Sequence, residues 1–337
     1  MVRVACLLFL LSLVGCSGPA QLEPALAAGS GTVASAGVAE PVRLWQDAAI
    51  FTLVRRLITS AHHRVLVEMY ELGRGDIEQG LAVAMRRRVS VRVITDPTVQ
   101  ASRQSASVLD AMGVPERAYP VDDAAHQIDH VKLLVADGEA VVGGMNWGAH
   151  SDRNHDYALE TRVPAELDRV TRIFDQDWSL AGGDPSPLAT AGGEIAQTAP
   201  GGEIRAMLES ALNAANRRVL VEIYTLTDPE VIAGLVAAHR RGATVRVVMD
   251  PNQAYNLHAY SMLVSNGVEA RWYPIPRGAL LHAKIGLFDG VLVLGSANWS
   301  RSGLGVNHEL DVETQDPSAV AAFGSRFDWD WARSRAA

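Results

Sequence analysis

The sequence predicts an α/β fold of two similar α/β/α halves related by a pseudo-twofold axis, each with a central mixed, largely parallel sheet. Three observations carry that expectation. The chain is a duplicate of itself. Each copy alternates apolar strand segments with helical ones. One polar pattern closes both copies at the same place.

The duplication is visible by inspection. Arg64-Val65-Leu66-Val67-Glu68-Met69-Tyr70 returns as Arg218-Val219-Leu220-Val221-Glu222-Ile223-Tyr224, and Thr95-Asp96-Pro97 as Met249-Asp250-Pro251. Asn154-His155-Asp156 returns as Asn307-His308-Glu309, and Phe174 with Asp177-Trp178 as Phe327 with Asp330-Trp331. The offset is about 153 residues, far longer than a solenoid repeat. Two halves about a pseudo-twofold is the natural arrangement.

Each half predicts the same elements in the same order. A helix (48–60, 203–215) precedes an apolar strand (65–70, 219–224). A helix (77–87, 230–240), a second apolar strand (91–95, 245–249) and another helix (103–112, 257–266) follow. A strand pair then carries the polar pattern, and a helix (165–179, 317–332) closes each half. Strands that are apolar throughout belong in a sheet covered on both faces. The Gly-, Pro- and Ala-rich stretch 182–202 reads as a linker between a first half, 41–181, and a second, 203–337.

The N-terminus predicts export. Arg3 precedes an apolar run from Val4 to Val14, shorter than the roughly 20 residues of a membrane span and suited to a signal peptide. Leu13-Val14-Gly15-Cys16 resembles the lipobox of bacterial lipoproteins, in which the cysteine is lipidated. That resemblance implies a signal peptide at 1–15, lipidation at Cys16 and a tether over 16–40; Ser17 resembles sorting to the outer membrane. Cys6 and Cys16 are the only cysteines, so the folded part has no disulfide. The formal net charge of −8 argues against a broad basic surface for nucleic acid.

The closing pattern carries the chemistry. Residues i and i+2 of a strand share a face, so His130 projects with Lys132 and His282 with Lys284. Asp137-Gly138 and Asp289-Gly290 are two-residue hairpin signals. Centring the turns there sets residue 145 opposite 130 and residue 297 opposite 282, which brings Asn146 and Asn298 close to the histidines. A bulge or strand end must turn these amides inward, and Gly143-Gly144 and Gly295-Ser296 permit one. Of 30 Lys and Arg residues, only Lys132 and Lys284 are lysines. Both lie two residues after a histidine, where a compact ammonium is wanted and a guanidinium fork is not.

His130-Lys132-Asp137 and His282-Lys284-Asp289 resemble the paired HxKxxxxD motifs of the phospholipase D superfamily, and the Asn146 and Asn298 segments resemble its GSxN extension. The likeness covers nearly all of 45–332. It implies one phosphodiesterase site from two half-sites, with His130 as nucleophile and His282 as general acid. Lys132, Lys284, Asn146 and Asn298 would hold the non-bridging oxygens. Asp156 and Glu309 occupy the family position of the carboxylate that orients each histidine, while Asp137 and Asp289 read as turn residues. Gly144 departs from the pattern where Ser296 keeps it, and Asp156 is one methylene shorter than Glu309.

No cofactor and no metal are expected, because a lysine among the potential ligands disfavours a cation. Trp147 and Trp299 read as packing residues, Trp178, Trp329 and Trp331 as helix core, and His155 and His308 as structural neighbours of the site. Three readings of the substrate stay open. A tethered phospholipase D would act on glycerophospholipids beside its own anchor. An exported endonuclease would need a basic groove, for which Arg86-Arg87-Arg88 and Arg240-Arg241 are the candidates. A non-catalytic lipoprotein would bind phosphate head groups or a partner. One chain holds a complete site, so a monomer suffices.

Overall fold

The structure is a computed structural model that describes residues 40–184, 193–198 and 202–336. The signal peptide, Cys16 and all of the tether but Glu40 lie outside the described residues, as does part of the linker. Among the described residues no helix is long and apolar enough to cross a membrane.

The first half runs β1 (Val42–Gln46), α1 (Ala49–Ser60), β2 (Arg64–Met69), α2 (Gly75–Arg86), β3 (Ser90–Thr95), α3 (Gln100–Ala111) and β4 (Glu116–Ala118). It continues with β5 (Lys132–Ala136), β6 (Glu139–Gly143), β7 (Tyr157–Thr161) and α4 (Pro164–Ala181). The second half runs β8 (Ile195–Gln197), α5 (Glu203–Ala214), β9 (Arg218–Ile223), α6 (Pro229–Arg240), β10 (Thr244–Met249), α7 (Asn256–Ser265) and β11 (Glu269–Trp272). It ends with β12 (Lys284–Phe288), β13 (Val291–Gly295), β14 (Leu310–Thr314) and α8 (Pro317–Arg333).

Each half holds a seven-stranded sheet, ordered β1-β7-β6-β5-β2-β3-β4 and β11-β10-β9-β12-β13-β14-β8. The sheets are mixed, as the sequence implied, but their parallel part is smaller than expected. Only β2-β3-β4 and β9-β10-β11 pair in parallel; every other neighbour is antiparallel. Helical crossovers join the parallel strands, and a hairpin with a returning strand makes up the rest. The short edge strands β1 and β8 escape sequence reading. β8 lies inside the expected linker, where it pairs with β14.

Buried apolar residues form three clusters. One packs beneath α1 and α2, its counterpart beneath α5 and α6, and the third is shared by both halves. Phe174 of α4 and Phe323 and Phe327 of α8 lie in the shared cluster, so the closing helices weld the halves together. Trp331 joins them, but Trp329 is 49% exposed, contrary to its core assignment. It points outward beneath the guanidiniums of Arg326 and Arg333.

The aspartate of each hairpin turn acts on the backbone. Asp137 and Asp289 take φ of 50° and 54°. The Asp137 carboxylate accepts the N–H groups of His62, His63 and Arg64, and Asp289 those of Asn216, Arg217 and Arg218. Each turn is thereby clipped to the start of β2 or β9, and both carboxyls lie below their usual range: these amides outweigh the opposing effect of burial.

Candidate active site

The registers match the expectation. Ala136 pairs with Glu139 and Ile285 with Leu294, which sets residue 145 opposite 130 and residue 297 opposite 282. β6 and β13 end at Gly143 and Gly295, so each asparagine lies beyond a strand end, with its Oδ1 buried and without a hydrogen-bond partner. Both glycines are obligatory for space. A Cβ at Gly143 would lie 2.5 Å from the Tyr157 carbonyl, and one at Gly295 2.1 Å from Asp311 Oδ1.

His130 and His282 depart from the expected strand geometry, because β5 and β12 begin two residues later. Their backbones pair across the pseudo-twofold instead. His130 N–H donates to the His308 carbonyl at 2.7 Å, and His282 N–H to the His155 carbonyl at 2.8 Å. Asp96 and Asp250, at the ends of β3 and β10, accept the N–H groups of Asp129 and Leu281 and fix the chain just before each histidine. Sequence reading gave these aspartates no role, although their duplicated Asp-Pro step was the available signal.

The orienting carboxylates also cross the axis. His130 Nδ1 lies 2.8 Å from Glu309 Oε2, and His282 Nδ1 lies 2.8 Å from Asp156 Oδ2. Each half therefore supplies the acid that holds the other half's histidine. Engaging Nδ1 leaves the His130 Nε2 for chemistry, whereas the His282 Nε2 lies 3.1 Å from Lys284 Nζ. Ser296 Oγ donates to Glu309 at 2.6 Å, and Asn307 donates to its other oxygen at 3.0 Å. The first half has no such hydroxyl, because a Cβ at Gly144 would lie 2.4 Å from Asp156 Oδ1.

Both lysines are buried. Lys132 donates to the His130 carbonyl, and Lys284 to the His282 carbonyl at 2.5 Å. Lys132 lies over the Tyr70 ring at 4.9 Å and Lys284 over Tyr224 at 5.0 Å. Burial pushes Lys132 down to about 7 and Lys284 down to about 8, even against the pull of the nearby carboxylates. Burial likewise pushes His130 down to about 4, with Lys132 and Lys284 adding to it, and His282 down to about 3, with Lys284 adding to it. Glu309 lies below its usual range: His130, Lys132 and Ser296 outweigh its burial. The resting site thus combines neutral imidazoles with buried lysines whose charge an incoming anion would stabilise.

Asn146 Nδ2 donates to Glu71 Oε2 at 3.2 Å, a partner without counterpart at Thr225 in the second half. Trp147 and Trp299 are buried packing residues, and each bridges to the loop after β2 or β9. Arg87 and Arg241, candidates for a basic groove, donate instead to the last carbonyls of α1 (Ile58, with Ala61) and α5 (Leu212, with Ala215).

Two side-chain groups among the described residues have metal-ligand types at close spacing: Glu68, Asp177 and His308, and His155, Glu222 and Asp330. Each includes the histidine that precedes one orienting acid, and all six residues are buried.

The family model for the "Cardiolipin synthase, PLD-like domain" matches residues 54–178 and 208–331, one match in each half. The chain belongs to this phospholipase D-like family. Among curated relatives, the mitochondrial cardiolipin hydrolase of Chlamydomonas reinhardtii is 29% identical over 122 residues, 36% of this chain and 54% of that protein. The chain thus spans about half the length of the curated relatives it matches. Among solved structures, phosphatidylserine synthase of Haemophilus influenzae superposes with a TM-score of 0.69 at 11% identity, covering 88% of this chain and 87% of that one. Polyphosphate kinase of Porphyromonas gingivalis superposes with a TM-score of 0.64 at 16% identity, covering 86% of this chain and 47% of that one. Two such different activities on one architecture mean that the fold alone does not define the substrate.

Proposed function

We propose that this protein is a phospholipase D that hydrolyses glycerophospholipids through a phosphohistidine. The observation that carries the reading is the crossed pair His130–Glu309 and His282–Asp156, in which each half orients the other's histidine beside buried Lys132 and Lys284. His130 Nε2 attacks phosphorus and forms an N–P bond. The bond to the head-group oxygen breaks, and that oxygen takes its proton from His282. Water then gives a proton to His282 and attacks phosphorus, which frees His130. The lysines and asparagines bind the non-bridging oxygens. A cation about 4 Å from the developing charge stabilises it by ~4 kcal/mol at an effective dielectric of about 20. The arriving phosphodiester anion raises the proton affinity of the buried imidazoles, which charges the general acid as substrate binds.

Lipid is favoured over nucleic acid as substrate. The matching family and the curated relatives are named for cardiolipin, and Arg87 and Arg241 are engaged with helix carbonyls. We also propose that Cys16 is lipidated and tethers the protein to the outer membrane, with Cys16→Ser shifting it to the soluble fraction. The first test is head-group release from mixed phospholipid vesicles by the purified protein in EDTA, beside His130→Ala. Release that survives EDTA and disappears in the variant supports the reading. No release from any vesicle, with cleavage of single-stranded DNA, overturns it in favour of a nuclease.

A further inference from the structure

Behind each catalytic histidine lies a second, fully buried one for which the reaction has no use. We infer that His308 and His155 are positioning residues: each is clamped at Nε2 by acids of the opposite half, His155 also at Nδ1 by Asp47 of its own half, and each thereby aims the neighbouring carboxylate, Glu309 or Asp156, at the catalytic histidine it holds. The inference rests on the catalytic roles proposed above for His130 and His282.

Two opposite-half acids at Nε2 and a stacked tyrosine recur on both sides of the axis. His308 Nε2 lies 3.0 Å from Asp177 Oδ2 of α4 and 3.4 Å from Glu68 Oε1 of β2. Its ring stacks on Tyr119 with centroids 4.7 Å apart and planes 9° apart. His155 Nε2 lies 2.8 Å from Glu222 Oε2 of β9 and 3.4 Å from Asp330 Oδ2 of α8, and its Nδ1 lies 2.6 Å from Asp47. Its ring stacks on Tyr273 with centroids 5.1 Å apart and planes 7° apart. Each ring is held at Nε2 and by its stacked tyrosine; His155 is held at Nδ1 as well, whereas His308 Nδ1 is buried without a hydrogen-bond partner.

Extended backbone converts that fixation into aim. Successive side chains of an extended segment point to opposite faces. His308 faces its clamp, so Glu309 faces His130; His155 faces its clamp, so Asp156 faces His282. The two segments also hold the catalytic histidines directly, through the His308 and His155 carbonyls. Burial alone would push both rings toward neutrality. Asp177 and Glu222 foremost outweigh it and hold both well above the ordinary range, as imidazolium ions. A charged group locked between carboxylates resists rotation far better than a neutral one.

The test separates aim from bulk stability by leaving group. His308→Gln and His155→Gln are made in the full chain, with Glu68→Gln and Glu222→Gln as milder variants should either histidine variant fail to fold. First-turnover rates are measured on an alkyl phosphodiester, whose leaving oxygen needs a proton, and on a p-nitrophenyl phosphodiester, which leaves without one. By the 10–100-fold typical of outer partners, His308→Gln slows the first turnover about 30-fold on both, because the nucleophile is misaligned. His155→Gln slows the alkyl substrate about 30-fold and the p-nitrophenyl substrate less than about 3-fold, because only proton delivery is impaired. KM is unchanged in both.

Folded variants with wild-type rates overturn the inference, as does equal slowing by both variants on both substrates. So does a metal ion found in stoichiometric amount in the wild-type protein and lost with His308→Gln. The two leaving-group patterns exchanged between the variants would keep the clamps but swap the roles of His130 and His282. If the wild type turns over neither substrate, the catalytic reading fails by itself. The clamp is then decided by imidazole NMR, where an unchanged His130 Nδ1–H resonance in His308→Gln overturns it.

Discussion

The two half-sites carry the same histidine, lysine and asparagine, but the surroundings of those groups have diverged. On the Glu309 side, a longer acid holds His130 and is itself held by Ser296 and Asn307. On the Asp156 side, a shorter acid holds His282, and its second oxygen accepts the Tyr157 N–H at 2.8 Å. Lys284 approaches the His282 ring to 3.0 Å, whereas Lys132 reaches only the His130 carbonyl. The clamps differ too. Arg326 donates to Asp330 at 2.5 Å in the His155 clamp, where the first half has Ile173. Beside the His308 clamp stands Asp129, where the second half has Leu281. The divergence lies in what tunes each imidazole, as the proposed division of roles requires.

The hardest way to break that comparison is to remove a histidine. His130→Ala and His282→Ala should each lower kcat on phospholipid by roughly 10⁴-fold or more, since residues acting as a unit fail together. On a p-nitrophenyl phosphodiester the first turnover of His282→Ala should recover by at least 10²-fold and that of His130→Ala should not, read by stopped-flow absorbance. Equal recovery would mean that the divergent surroundings do not divide the labour.

The next test exchanges charge type. Lys132→Arg and Lys284→Arg should each cost about 10²–10³-fold in kcat, because a guanidinium fork does not fit the buried ammonium position. Lys132→Met should abolish turnover yet raise stability by roughly 1–3 kcal/mol, seen as a higher Tm, because it removes a buried charge that burial already disfavours. A fall in Tm would mean that the lysine is structural.

Exchanging the two acid environments is gentler. Gly144→Ser should destabilise the fold by about 1–3 kcal/mol through collision with Asp156, measured by urea unfolding. Ser296→Gly should leave a cavity and cost about 10-fold in kcat by loosening Glu309. If Gly144→Ser is neutral, the glycine is not a response to the shorter acid.

The smallest effect is on stability against pH. Folded His130 and His282 take up protons only near about 4 and about 3, whereas an unfolded histidine does so near 6.5. The unfolded chain therefore binds more protons between pH 6.5 and 3, and stability falls as pH falls through that window. His155 and His308 act with the opposite sign. Their folded pKa lies above 6.5, so their contribution is complete below 6.5 and is lost as pH rises through the folded value. Replacing His130 and His282 by Gln should flatten the acid-side loss of Tm between pH 6 and 4.5. Replacing His308 should lower Tm across that window without changing its slope, and should remove a loss of Tm as pH rises above 6.5.

Most of this was legible in sequence because duplication doubles each signal. Every predicted helix is present in both halves, and the hairpin registers follow from the Asp-Gly turns. What escaped has two physical causes. β1 and β8 are short edge strands whose partners are distant in sequence. The crossing of Glu309 to His130 and of Asp156 to His282 depends on how the halves face each other, which no local pattern encodes. The same cause hid His155 and His308 in their clamps, although the repeated Asn-His-acid triplet marked the place. Trp329 was misplaced because helical periodicity gives the spacing of a face, not which tryptophan lies on it.

The Gly144–Asp156 and Ser296–Glu309 pairs each lie within one half, while each acid serves the histidine of the other. Drift in one copy after duplication is therefore invisible to that copy's own imidazole and is felt at once by its sibling's. Selection on His130 then falls on the second copy's sequence, and selection on His282 on the first's. Two inherited copies become mutually obligate in this way, each the custodian of a residue it does not encode.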